Sequence, residues 1–342
     1  MGIDKNLFNL YEHFDKGEKN LISDVPGVKV GHVTLENSDK KTATGVTAII
    51  PSEKNIFQNK LMAATYVING FGKSVGLTQI DELGTIESPI IMTNTLSVGT
   101  ALTATVKYML EQNPDIGATT GTVNCVVTEC NDSGLNDIRS LFVSQQNTLV
   151  AIKNANDIFE EGAVGAGTGM CCLGFKGGIG SSSRVLNLDN KEFVVGSLVL
   201  ANFGKAGHLV IGGEHVGAKI QELSKLKEKG SIIMVIATNV PLNERQLKRV
   251  CKRASISLGR VGSFIGNGSG DIAIAFSTAN TIKHYSEQAI IDVKMLHDDC
   301  LDPVFEATVE TVEESIISAL YHAKENLNGN LIKEIKALKD FI

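Results

Sequence analysis

Residues 224–242 read SKLKEKGSIIMVIATNVPL. A charged, helix-like run stops at Gly230. Ser231 follows, and directly behind it comes the apolar run Ile232-Ile233-Met234-Val235-Ile236-Ala237. An unbroken apolar run of this length predicts a strand buried on both faces, which needs packed layers on either side. The serine at its head has two readings. It is either the first residue of a strand after a helix-stopping glycine, or a nucleophile that must be released from Gly230 before it can act.

Working outward, further β-rich apolar runs occur at 46–51, 64–70, 89–95, 122–130, 192–204 and 271–278. Residues 97–112 read as a helix, with Leu102, Val106, Met109 and Leu110 on one face. Residues 241–261 open with Pro241 and carry Leu247, Val250, Cys251 and Ala254 at helical spacing. Residues 301–325 predict a long amphipathic helix. Strands often follow one another directly, with no repeat and no Pro- or Ser-rich linker. This order favours an α/β architecture of sheets layered with helices, in one domain over 1–342, rather than a regular βαβ winding.

The bulk composition excludes several function classes. The 342 residues are 43% hydrophobic and 20% charged, with net charge −6. That balance is poor for a nucleic-acid partner, which needs a basic surface. Aromatics are scarce and Trp is absent, which argues against base-stacking platforms. No run approaches the roughly 18 apolar residues of a membrane span, and the first 20 residues lack the apolar core of a signal peptide. The six cysteines make no CxxC and have no zinc-spaced His beside them, so no metal and no cofactor is expected. They read as reduced, mostly buried thiols of a cytoplasmic protein.

Familiar catalytic motifs fail in detail. Residues 70–74, GFGKS, end like a phosphate loop, but Val67 stands where its first Gly belongs. Residues 165–170, GAGTGM, place Met170 at the last Gly of a dinucleotide fingerprint. There is no GxSxG and no HExxH. Polar residues at strand edges remain. Ser269 and Asp271, in GNGSGD (266–271), are two apart and point the same way on extended backbone. They also suit a plain turn before a strand. Asn202 closes a strand in LANFGK (200–205), as a turn residue or as a donor to an oxyanion. Glu129, Asn131 and Asp132 follow an apolar run, as a solvated loop or as a carboxylate edge for a substrate ammonium.

These stretches, taken in order, resemble the self-processing L-aminopeptidase/D-esterase family, which includes the β-peptidyl aminopeptidases. The resemblance runs through ISDVPGVKVGHVTL (22–35), ESPIIMTNTLSVGTA (87–101), VVTECNDSGLND (126–137) and GAVGAGTGMCCLGFKGGIGSSSR (162–184). It continues through GSIIMVIATNVPLNERQLKR (230–249), GNGSGDIAIAFST (266–278) and LDPVFEATVETVEESIISAL (301–320). It implies an αββα four-layer sandwich similar to N-terminal-nucleophile hydrolases but with distinct connectivity. It also implies self-cleavage between Gly230 and Ser231 into chains 1–230 and 231–342, with Ser231 as the N-terminal nucleophile. By the same resemblance Ser269 hydrogen-bonds the nucleophile, Asp271 orients that serine, Asn202 helps hold the oxyanion and Glu129 receives the substrate's amino group. Asn131 stands where some relatives carry a Tyr near the oxyanion. Short peptides, aminoacyl amides or esters are the implied substrates, and a tetramer of two-chain units the implied assembly.

Elementary chemistry fits this reading. A serine hydroxyl is a weak nucleophile until a base takes its proton. A freed α-amine, with a pKa of about 7.7–8.0, can be that base, and so can a Ser269–Asp271 relay. Two other classes compete: an acyltransferase on a related self-cleaving fold, where Thr is the usual nucleophile, and an unprocessed protein that binds amino-terminated ligands.

Overall fold

The computed structural model describes residues 10–219, 230–324 and 335–341. In chain order its strands and helices are β1 (Lys29–Asn37), β2 (Thr42–Ile50), β3 (Asn59–Gly70), α1 (Leu77–Leu83), β4 (Thr85–Ile86) and β5 (Ile90–Asn94). Next come α2 (Val98–Gln112), β6 (Val126–Cys130), α3 (Gln145–Lys153), β7 (Cys171–Cys172), β8 (Phe175–Lys176) and β9 (Gly178–Leu188). The chain continues with β10 (Lys191–Asn202), α4 (Val216–Lys219), β11 (Ser231–Thr238), α5 (Glu244–Arg260), β12 (Gly270–Lys283) and α6 (Asp302–His322). The charged run at 224–229 lies outside the described residues.

Two sheets carry the architecture. One has the order β1-β2-β5-β6, the other β4-β3-β12-β11-β10-β9, and β7-β8 form a small hairpin. β11 and β12 run parallel at the centre of the larger sheet, and β5 and β6 run parallel at one edge of the smaller one. Their neighbours run antiparallel.

Side-chain alternation along β11 shows the layering. Ile232, Met234 and Ile236 pack with Leu247, Val250 and Leu258 of α5 and with Ile316 and Leu320 of α6. Ile233, Val235 and Ala237 pack instead with Ile49, Ile90, Met92 and Val126 of the smaller sheet. On the far side of that sheet, Val46, Ala48, Ile91 and Val127 meet Ala101 of α2 and Ala151 and Ile152 of α3. The order is therefore helix, sheet, sheet, helix, and every residue of β11 is buried. Burying one such aliphatic side chain contributes roughly 1.5–3 kcal/mol.

Three features depart from the sequence reading. First, Pro241 does not open α5. The helix starts at Glu244, after an Asn243 cap whose side chain accepts from Gln246 N at 2.9 Å while Gln246 returns the bond to Asn243 N. Second, the Gly/Ser-rich stretch at 178–188 is a long strand. Its small residues admit α6: a Cβ on Gly180 would lie 1.9 Å from Ser315 O. Third, α6 is buried almost all round rather than half exposed. Its Glu310 and Glu314 bind Arg184 of β9, each at 2.7 Å, with all three side chains within 1% of full burial. The segment before β1 covers the same carboxylates, with Lys16 Nζ 2.7 Å from Glu314 and His13 N 2.8 Å from Glu310. Removing one partner of such a set strands a desolvated charge, at a cost of about 3–5 kcal/mol.

Candidate active site

One edge of the sandwich gathers the polar residues. β11 and β12 begin there, while β3, β6 and β10 end there. Ser231 pairs with Asn202 on one side and with Gly270 on the other. By alternation it shares the inward face with Ile233 and Val235. Its hydroxyl oxygen accepts a hydrogen bond from Gly270 N at 3.1 Å. Ahead of it, Gly230 presses on the end of β10, where a Cβ would lie 1.9 Å from Asn202 O and 2.5 Å from Phe203 Cα. Only a residue without a side chain fits at that distance.

Ser269 and Asp271 flank Gly270, and the Ser269 hydroxyl donates to Asp271 Oδ1 at 2.6 Å. The shared direction expected from their spacing is thus realised, in a buried pair beside Ser231. The ladder between β12 and β3 shifts register between Asp271 and Ile272. A bulge at this point lets the two strands part as they enter the site.

Asn202 is held from two sides. Its Oδ1 accepts from Cys171 N at 2.9 Å and its Nδ2 donates to Asn131 O at 2.9 Å. A flipped amide would set donor against donor and acceptor against acceptor, so the pair fixes its orientation. Asn131 meets Asn202 through its main chain. Its side chain turns back to accept from Ser133 N at 2.9 Å, a local turn of the kind Asn favours.

Glu129 lies at the end of β6 and is buried. Its Oε1 accepts from Lys73 N at 2.8 Å, and Thr95 Oγ1 donates to its Oε2. Gly72 links it to the serine. A Cβ there would sit 3.5 Å from Glu129 Oε1 and 3.8 Å from Gly270 Cα, and a Cβ on Gly270 would sit 3.1 Å from Ser231 Oγ. Gly72 and Gly270 thus lie between the carboxylate and the serine, where neither carries a side chain. Cys130, next to Glu129, hydrogen-bonds Leu200 O at 3.6 Å. Burial, with Glu129 and Asp271 nearby, pushes its thiol well above the ordinary range. It stays a thiol, and a thiol is not the attacking form.

The histidines tied down in the structure are engaged elsewhere, His32 with Thr47, His284 with Thr120 and His322 with Ser318. The sequence reading missed Lys73, Thr95, Cys171 and Gly270. Three of these act through main-chain N–H groups, whose aim no side-chain pattern reveals. Thr95, two residues past Thr93, which pairs with Glu129, could have been placed only by aligning β5 with β6.

The chain matches the profile of peptidase family S58 over residues 20–331. It is 36% identical to a β-peptidyl aminopeptidase of Sphingosinicella microcystinivorans, covering 93% of this chain and 86% of that one. The chain belongs to peptidase family S58. Among solved structures of similar fold is that of a Pyrococcus horikoshii protein, at TM-score 0.94 and 50% identity, covering 98% of this chain and 96% of the other. Another is the L-aminopeptidase D-Ala-esterase/amidase of Ochrobactrum anthropi, described as a variant of the Ntn hydrolase fold. It superposes at TM-score 0.90 with 36% identity, over 96% of this chain and 93% of the other. This S58 member is a hydrolase of the aminopeptidase/amidase class, on a mixed α/β, Ntn-like fold. Among its described residues, no helix is long and apolar enough to cross a membrane.

Proposed function

We propose that this S58 member cuts itself between Gly230 and Ser231 and then uses Ser231 to remove amino-terminal residues from short peptides, amides and esters. The observation that carries the reading is the placement of Ser231. It heads a buried strand, accepts from Gly270 N, and lies between the Ser269–Asp271 pair and the Asn202 amide. In maturation the Ser231 hydroxyl attacks the Gly230 carbonyl carbon, the peptide N–C bond gives way to an ester, and water cleaves the ester. Breaking the Gly230–Ser231 bond frees the α-amine of residue 231.

In turnover the substrate's ammonium pairs with Glu129 and its carbonyl carbon meets Ser231 Oγ. The proton leaving that hydroxyl passes to the α-amine of residue 231 or through Ser269 to Asp271. The oxyanion of the tetrahedral intermediate takes the Asn202 Nδ2 hydrogen not spent on Asn131 O, a donor of a kind worth about 3 kcal/mol. Collapse expels the shortened peptide or amine, which carries the proton away, and water hydrolyses the acyl-Ser231 ester. Kinship with β-peptidyl aminopeptidases extends the proposed substrates to β-amino acids.

We also propose a homo-oligomer, a tetramer of two-chain units, in the cytoplasm. Ile290, Ile291, Val293 and Met295 stand exposed together between β12 and α6 and offer an apolar contact surface. Free cysteines favour a reducing compartment. Intact-mass analysis with N-terminal sequencing tests the processing. Two fragments, the smaller starting at Ser231, are expected. A single intact chain that releases amine from aminoacyl amides would overturn it.

A further inference from the structure

Lys176 is a fully buried lysine with, among the described residues, no carboxylate at hydrogen-bond distance. Its Nζ donates to three main-chain carbonyls, Gly167 O at 3.0 Å, Met170 O at 2.8 Å and Gly177 O at 2.7 Å. Three donors thus meet three acceptors. Taking an ammonium out of water is costly, and here the three carbonyls offset that cost. Burial lowers its pKa to about 8, against the pull of neighbouring groups that include Cys171 and Asp132.

The three carbonyls bracket the β7-β8 hairpin. Met170 immediately precedes Cys171, whose N–H donates to Asn202 Oδ1. Cys171 in turn pairs with Lys176 across the hairpin. The hairpin is also closed by Gly177 N donating to Met170 O at 2.9 Å, and its turn is tied to the end of β10 by Leu173 N donating to Phe203 O at 2.6 Å. The ammonium therefore sits behind the peptide unit that orients the Asn202 amide.

We propose that Lys176 is a positioning residue for the acyl-transfer chemistry: its ammonium gathers the carbonyls of Gly167, Met170 and Gly177, sets the Cys171 N–H, and through it aims Asn202 at the oxyanion. The inference rests on the reading of Asn202 given under the proposed function. Lys176 touches no substrate. Its effect is on the transition state, where an oxyanion exists, and not on the ground state held by Glu129. Misplacing a catalytic group by about 1 Å can cost on the order of 100-fold in rate.

The test is a kinetic cycle on fully cleaved protein with an aminoacyl amide, using Lys176→Ala, Asn202→Ala and the double variant, with cleavage checked by intact mass. Lys176→Ala is expected to lower kcat about 10- to 100-fold with KM within about twofold. In the Asn202→Ala background the same change is expected to cost little more, because residues acting as one unit are non-additive. Additive losses, or a KM that rises in step with the fall in kcat, would overturn the proposal. Full activity of Asn202→Ala by itself would sink the oxyanion reading instead. Should Lys176→Ala fail to fold, Cys171→Pro removes the same N–H donor directly. Its kcat is expected to fall at unchanged KM, and an unchanged kcat would overturn the proposal.

Discussion

Ser231 and Gly270 stand opposite each other in a parallel pair of strands, and the Gly270 N–H donates to the Ser231 hydroxyl oxygen at 3.1 Å. A hydroxyl that already accepts from the main chain keeps its own proton to give away. Ser231→Ala removes the attacking oxygen and almost nothing else, so the variant should fold, remain a single chain and show no turnover. Intact mass and amide hydrolysis read both outcomes. Complete cleavage in this variant would exclude Ser231 as the nucleophile.

Ser269→Ala breaks the 2.6 Å bond to Asp271 while leaving Ser231 in place. A loss of about 100-fold in kcat is expected if this pair moves the proton, with KM little changed. Steady-state kinetics on protein already cut would separate this from any slowing of maturation. Unchanged kcat would leave the α-amine of residue 231 as the base.

Glu129→Gln keeps the acceptor for Lys73 N but removes the charge. An ammonium left without its counter-ion in a buried site is costly, so KM for free-amine substrates should rise at least 10-fold, while N-acetylated substrates should be poor for both proteins. Comparable turnover of free and acetylated substrates by the native enzyme would remove Glu129 from amine recognition.

Gly230→Ala places a methyl group 1.9 Å from Asn202 O. The end of β10 must then move, and Asn202 with it. Maturation should slow severalfold or more, measured as the rate at which fragments appear on denaturing gels, even though the attacking serine is intact. Cleavage at the native rate would show that the edge of β10 yields without consequence.

A pH effect comes from Glu161, on the segment that meets the start of β9. Burial raises the Glu161 carboxyl from 4.5 to about 7, against hydrogen bonds from Ser318 Oγ at 2.6 Å and Ser181 N at 2.7 Å. A folded-state pKa above the unfolded one means the native state holds the proton more tightly. Its contribution is full below pH 4.5 and is lost as pH rises toward 7. Its upper limit is about 3 kcal/mol. Glu161→Gln mimics the protonated form, so its denaturant midpoint should gain on the native protein's as pH climbs from 4.5 to 7. Parallel curves would show that Glu161 does not titrate differently on folding.

Much of this was legible in the chain itself, for physical reasons. β11, β10 and β12 are continuous apolar runs because both of their faces are covered, and α5 shows its stripe because one face is wet. β9 hid behind GGIGSSSR, since glycine and serine there serve the close approach of α6 rather than strand propensity. The carboxylates of α6 looked like a solvated face, and their true partner, Arg184, is 126 residues from Glu310. Around the serine, the side chains Ser269, Asp271, Asn202 and Glu129 could be named from their positions. The N–H groups of Gly270, Lys73 and Cys171 could not, because every residue but proline carries one.

The strand order of the larger sheet has a consequence for any break ahead of Ser231. β12 and β11 come from the C-terminal third of the chain, and they lie between β3 on one side and β10 on the other, both from the N-terminal part. Each piece would thus be interleaved with the other, hydrogen-bonded along two ladders and clasped by the Arg184–Glu310–Glu314 contacts. Neither could leave by peeling from an edge. The nicked protein would come apart only by unfolding, so dilution should not dissociate it, and its melting should remain a single cooperative event.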